Sequence, residues 1–135
     1  MSYKGIFCNP FKPDTIDLGE IDKDKILDTF EKIPWDDFIN RMASAKQKDF
    51  YYSPSLDIEN LENNHSIEVS AIDGTCWYIF YRRPKMVTKK RWFKTVERLD
   101  KTHTTDVLDQ SIEDVRECLN ALVEGDFGFL ENKVR

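Results

Sequence analysis

The chain has 135 residues, 40% of them hydrophobic and 33% charged, with a net charge of −5. Apolar content sits below the roughly 45–50% usual for globular domains and charge above the roughly 25% norm. The 13% aromatic content and only five Gly and five Pro argue against disorder and low complexity. A chain of this length can bury about 68% of its unfolded surface without a disulfide or metal staple, so one domain spanning residues 1–135 is expected.

The longest apolar stretch, Cys76 to Tyr81, is strand length, far short of the ~18 residues a membrane-spanning helix needs. The N-terminal residues lack the apolar core of a secretory signal. Cys8, Cys76 and Cys118 show no paired spacing, which suits a reducing compartment and provides no zinc framework. These features point to a cytoplasmic protein without membrane contact, metal or cofactor.

In chain order, residues 1–21 read as a lead-in, a short strand and an arm punctuated by Pro10 and Pro13. Asp22 or Asp24 can cap a first helix with apolar positions Ile26, Leu27, Phe30 and Ile33. Pro34, followed by Asp36 and Asp37, opens a second helix to about Lys46, with a single helix kinked at Pro34 as the alternative. Both helices fall within 22–47.

From 50 to 99 the period changes to two. Strands are expected near Phe50–Glu59, His65–Ile72, Cys76–Arg82 and Lys90–Arg98, linked at Asn63-Asn64, at Asp73-Gly74 and by a loop through Pro84. Asp73-Gly74 is the strongest hairpin signal, because glycine accepts the positive φ of tight hairpin turns. A polar connection, Lys101 to Asp106, precedes a helix over 109–124. Asp109 or Ser111 would cap it and Gly125 would stop it. The tail, 125–135, reads as a docked turn around Phe127, Phe129 and Leu130. The expected class is α+β: two N-terminal helices, a four-stranded antiparallel meander, and a C-terminal helix packed on the sheet.

Charge is distributed unevenly. Between Arg82 and Arg98 stand eight basic residues and one acidic residue, Glu97, leaving twelve basic and twenty-four acidic residues elsewhere. Within this stretch Arg82, Arg83, Lys89, Lys90, Arg91 and Lys94 surround Trp92. These are the ingredients of anion or nucleic-acid binding, with cations for phosphates and an aromatic face for bases. The same lysines would also serve simply to blunt a sheet edge, and the acidic remainder opposes phosphate binding.

The composition favours a different reading, a non-enzymatic protein-binding module that meets a basic partner, such as an immunity-type inhibitor of a toxin. Asp57, Glu59 and Glu62 would supply its charge and Trp77 and Tyr81 its contact area. The run 76–81 is apolar on both faces, so the second face needs a cover: the N-terminal arm, the tail, a second subunit in a homodimer, or a foreign partner.

An unrecognised enzyme is the third reading, with His103 and Asp106 as base and orienting acid or one cysteine as nucleophile. Asp22-Lys23-Asp24-Lys25 lacks the glycine and distal glutamate of an EF-hand. Phosphate-binding glycine loops are missing as well.

Overall fold

The computed structural model describes residues 2–46 and 49–135, the side chain of Arg91 excepted. Six strands form one antiparallel sheet: β1 (Tyr3–Cys8), β2 (Ile16–Ile21), β3 (Ser55–Asn60), β4 (Ser66–Ala71), β5 (Trp77–Arg91) and β6 (Lys94–Gln110), in the order β2-β1-β3-β4-β5-β6. Among the described residues four α-helices accompany it, α1 (Ile26–Lys32), α2 (Trp35–Ser44), α3 (Ile112–Glu124) and α4 (Phe127–Lys133), the first led in by a 3-10 turn at Lys23–Lys25. The class is α+β. The expected four strands become six: the lead-in supplies two, the strand expected from Phe50 begins only at Ser55, and the one expected at Lys90–Arg98 is instead the closing turn of a long hairpin, because β5 continues through Pro84 to Arg91 and the chain reverses at Trp92-Phe93 before β6. Tyr3 and Phe7 alternate inward with Lys4 and Ile6, and β1 lies inside the sheet, paired with β2 on one side and β3 on the other.

The period-two pattern of β3, β4 and β5 sends Leu56, Ile58, Ile67, Val69, Trp77, Ile79 and Tyr81 to the face that carries the helices. Phe30 of α1, Trp35 and Phe38 of α2, Val115, Leu119 and Leu122 of α3, and Leu130 of α4 complete that core. Ile33 is extended (φ −71°, ψ 128°) and Pro34 stands at the N-cap of α2, so the chain makes two helices there. Ser111 and Asp114 form a reciprocal capping box at the start of α3, and Gly125 ends it in the left-handed conformation, φ 73°. The expected docked turn is instead the helix α4, because Asp126 caps it by accepting a hydrogen bond from the Phe129 N–H.

Two expectations about turns are corrected. The link at Asp73-Gly74 is made by Asp73, whose Oδ1 accepts from the N–H groups of Thr75 and Cys76, each at 2.8 Å. This carboxylate-braced turn spans five residues between strands and needs no positive φ at Gly74. Pro84 lies within β5 rather than in a loop. Register along β5 and β6 passes from Arg83↔His103 to Lys85↔Asp100, so Lys101 and Thr102 together stand opposite Pro84. A β-bulge at this point accommodates a residue with no N–H to donate. The polar connection expected at 101–106 is accordingly strand, and β6 runs unbroken to Gln110.

β4 pairs with β5 only as far as Ser66↔Arg82. Beyond that point β5 and β6 continue without a third strand, as a two-stranded arm closed by a tight turn at Trp92-Phe93. From Lys85 to Trp92 the arm extends about 23 Å at the rise of a β-strand.

Candidate functional site

The arm collects most of the basic residues singled out above. Directly opposed residues of an antiparallel pair share one face. The register therefore puts Lys85 with Asp100, Val87 with Arg98, and Lys89 with Val96 on one side, together with Lys94. Met86 with Leu99, Thr88 with Glu97, and Lys90 with Thr95 fall on the other. Among the described side chains, four lysines and arginines thus share a face with one carboxylate, whereas Lys90 shares the other with Glu97. Lys89, Lys90 and Lys94 are exposed; the Arg91 side chain lies outside the described residues.

At the tip, Trp92 is 97% exposed and Phe93 100%. Trp92 has φ 55°, a left-handed conformation unfavourable for a bulky side chain. Neither ring contributes to the core.

The root of the arm is built differently. Arg83, only 2% exposed, donates from Nε to Glu131 Oε1 (2.9 Å) and from Nη2 to Oε2 (2.8 Å). Its Nη1 donates to the Tyr81 carbonyl (3.0 Å) and to Thr105 Oγ1 (2.7 Å), and the guanidinium lies 4.3 Å from the centre of the Tyr81 ring. Lys85 reaches the same Glu131 carboxylate at 3.1 Å. His65 Nδ1 hydrogen-bonds with the Tyr81 hydroxyl at 2.7 Å, and its ring stacks on Phe127 at 4.0 Å. Burial pushes the Tyr81 phenol up to about 12 and lowers the His65 imidazole. Arg83 therefore belongs to a brace that fastens α4 to the sheet. Arg82, on the opposite face, pairs with Asp57 at 3.1 Å.

The five residues expected to contact a protein partner do not converge. Trp77 (4% exposed) and Tyr81 (0%) point into the helix-covered core, because they alternate with Tyr78 and Phe80 on a strand whose inner face is buried. Asp57 and Glu59 stand on the opposite face, and Glu62 is exposed in the β3–β4 link. Among the described residues, no helix packs on that opposite face. Tyr78 and Phe80 stack there with centroids 4.2 Å apart, and the Tyr78 hydroxyl donates to Asp106. Asp57 is register partner to Glu68, whose carboxyl is pushed up by burial and then by the Asp57 charge.

The pair proposed for acid–base chemistry is split by the strand. His103 is the register partner of Arg83 and Asp106 that of Phe80, so the two point to opposite faces. His103 Nδ1 lies 3.6 Å from Asp100, and Asp106 accepts from Tyr78. All three thiols are raised above the ordinary cysteine range, Cys118 to about 12, with burial the first cause in each. A raised thiol carries less of the reactive thiolate.

The sequence also left unnoticed a cleft of about 600 Å³ between α2, the β4–β5 turn and the start of α3. Trp35, Trp77 and Ile112 contribute its apolar lining, and Glu31, Asp36, Asp37 and Asp73 its charge. Asp36 and Asp37 occupy the first turn of α2, which explains their local placement. Their proximity to Asp73 depends on how α2 packs against the sheet.

Among the described residues, no group of three or more His, Cys, Asp or Glu could hold a metal ion, and no helix is long and apolar enough to cross a membrane. Comparison with known proteins found no matching family model, no matching curated protein and no matching solved structure.

Proposed function

We propose that this chain is a non-catalytic binding module that engages a phosphate-bearing polyanion through the β5–β6 arm. The observation that carries the reading is the arm itself: a two-stranded projection with, among the described side chains, four cations on one face, Lys90 alone on the other, and two almost wholly exposed aromatic rings at its end. The net charge of −5 opposes such a role only if the acidic body is felt at the tip. The Debye length is about 8 Å at physiological ionic strength, and the arm extends about 23 Å. The distal cations therefore meet a ligand largely outside the field of the body.

Immobilised heparin, a sulfated polymer standing in for a polyphosphate, tests the charge contact of this reading. The wild-type chain is expected to be retained at low salt and released steeply as salt rises, because bound counterions are exchanged for cationic side chains. Lys89→Glu with Lys94→Glu is expected to abolish retention while leaving the circular dichroism spectrum unchanged. Equal retention of the double variant would refute the arm as the contact.

Engagement of a basic protein, as an immunity-type inhibitor would require, is favoured by one observation: the cleft with an apolar lining and an acidic rim at Asp36, Asp37 and Asp73. In nuclease-treated affinity capture, a protein partner lost with Asp36→Lys and Asp37→Lys but kept with the arm variant would support this second reading. The opposite pattern would return the contact to the arm.

A further inference from the structure

Resting on the polyanion reading, we infer that the ligand of the arm is single-stranded nucleic acid, with unpaired bases stacked on Trp92 and Phe93 and its backbone following the basic face. A solvated indole and phenyl at the end of a hairpin are poorly explained by folding. They bury nothing, and the left-handed φ of 55° at Trp92 is a conformation that a bulky side chain disfavours. Asn-Gly would close a two-residue hairpin with less strain. What the aromatic turn supplies is two exposed π-faces beside a row of cations.

The three anionic polymers or surfaces that fit a basic element differ in what they offer those rings. A duplex hides its base faces and exposes them only by unstacking, which is costly. An anionic bilayer would take the tip but leave Lys85 and Arg98 behind. Lys85 lies four residues from Lys89, about 13 Å along the strand and beyond one Debye length. A single strand satisfies both parts at once: its bases already present their faces, and its phosphates continue past the tip along Lys94, Lys89 and Arg98. Lys85 is held by Glu131 and contributes least. Val87 and Val96, interleaved on the basic face, give the sugars an apolar floor.

The arrangement sets two magnitudes. About three phosphate contacts give a log–log slope of affinity on salt near −2 for a single strand. Each stacked base is worth about 1–3 kcal/mol, so removing one ring weakens binding by roughly 5-fold to 150-fold.

The experiment is a fluorescence titration of the full chain with oligothymidine of about twelve nucleotides, within the usual site-size range. A hairpin duplex of equal charge, heparin, and phosphatidylserine vesicles serve as the other probes. Expected are quenching of tryptophan emission by the oligothymidine, tighter binding of it than of the duplex, and a salt slope near −2. Trp92→Ala with Phe93→Ala should lose at least tenfold in affinity for the single strand while keeping its heparin retention and thermal midpoint. Equal or tighter binding to the duplex overturns the inference, as does vesicle binding without oligothymidine binding, or an unchanged affinity in the double variant. Heparin retention without any preference for the single strand sinks the inference and leaves the polyanion reading standing, whereas loss of both sinks the two together.

Discussion

Trp77→Ala is expected to destabilise the protein by about 3–5 kcal/mol, the usual cost of truncating a fully packed large aromatic. Trp77 is 4% exposed, and its ring lies 5.4 Å from that of Phe30 and 5.0 Å from that of Trp35. Trp35 in turn donates from Nε1 to the Phe30 carbonyl at 2.9 Å, so the three rings join α1, the start of α2 and β5. Trp35 is held by that hydrogen bond and Phe30 by its place in α1, so the space opened beside the cleft is not refilled. The same truncation at Trp92 is expected to change stability by less than about 0.5 kcal/mol, since that ring packs against nothing. Urea unfolding of the two variants measures both. A cost below about 1 kcal/mol at Trp77 would show that the ring is not part of the packed core.

The contrast between these tryptophans marks where the sequence was readable. Period two in 65–82 and the cap and stop signals around α3 are local, and each element followed from them. The lead-in is hard to read as strand because its inward positions include Gly5, and Pro10 and Pro13 interrupt the pattern just beyond; pairing with β3, about fifty residues away in sequence, makes it one. Pro84 signalled a break, but a bulge on the partner strand absorbed the missing donor, and no neighbour of Pro84 in sequence announces that bulge.

The basic stretch was visible as composition, but its sorting was not. Whether Lys89 joins Arg98 or Glu97 depends on a register set by the Trp92-Phe93 turn and the bulge together. Exposure was equally hidden. Trp77, Tyr81 and Trp92 are alike as residue types, and only the third strand beside β5 at Trp77 and Tyr81, with none at the arm, separates core from tip. His103 and Asp106 looked like neighbours in a loop; a strand places residues three apart on opposite sides.

Glu131→Ala is expected to cost about 3 kcal/mol, the lower end for breaking a buried pair from one side, because the glutamate itself is half-exposed while Arg83 is not. Removing the carboxylate leaves the Arg83 guanidinium 97% enclosed by its side chain's surroundings and held only by the Tyr81 carbonyl and Thr105. Arg83→Met should cost less, since it removes the charge together with its need for a partner.

The pH dependence separates this loss from ordinary packing damage. Hydrogen bonds from Arg83 hold the Glu131 carboxyl below its ordinary value of 4.5, with Lys85 assisting. A carboxyl lowered in the folded state stabilises fully above that ordinary value and ceases to do so as pH falls through the folded one. His65, lowered from 6.5 by burial, weakens the fold earlier in the descent, because the unfolded chain takes up its proton first. The wild-type urea midpoint should therefore fall below about 6.5 and again below about 4.5, where the lowered carboxyls of Asp114, Asp73 and Asp17 contribute beside Glu131, and Glu131→Ala should make the second fall shallower while keeping the first. An unchanged acid limb in the variant would mean that Glu131 does not carry the charge balance of the brace. Because α4 is fastened at the root and the rings stand at the tip, the variant should still quench on oligothymidine wherever it remains folded.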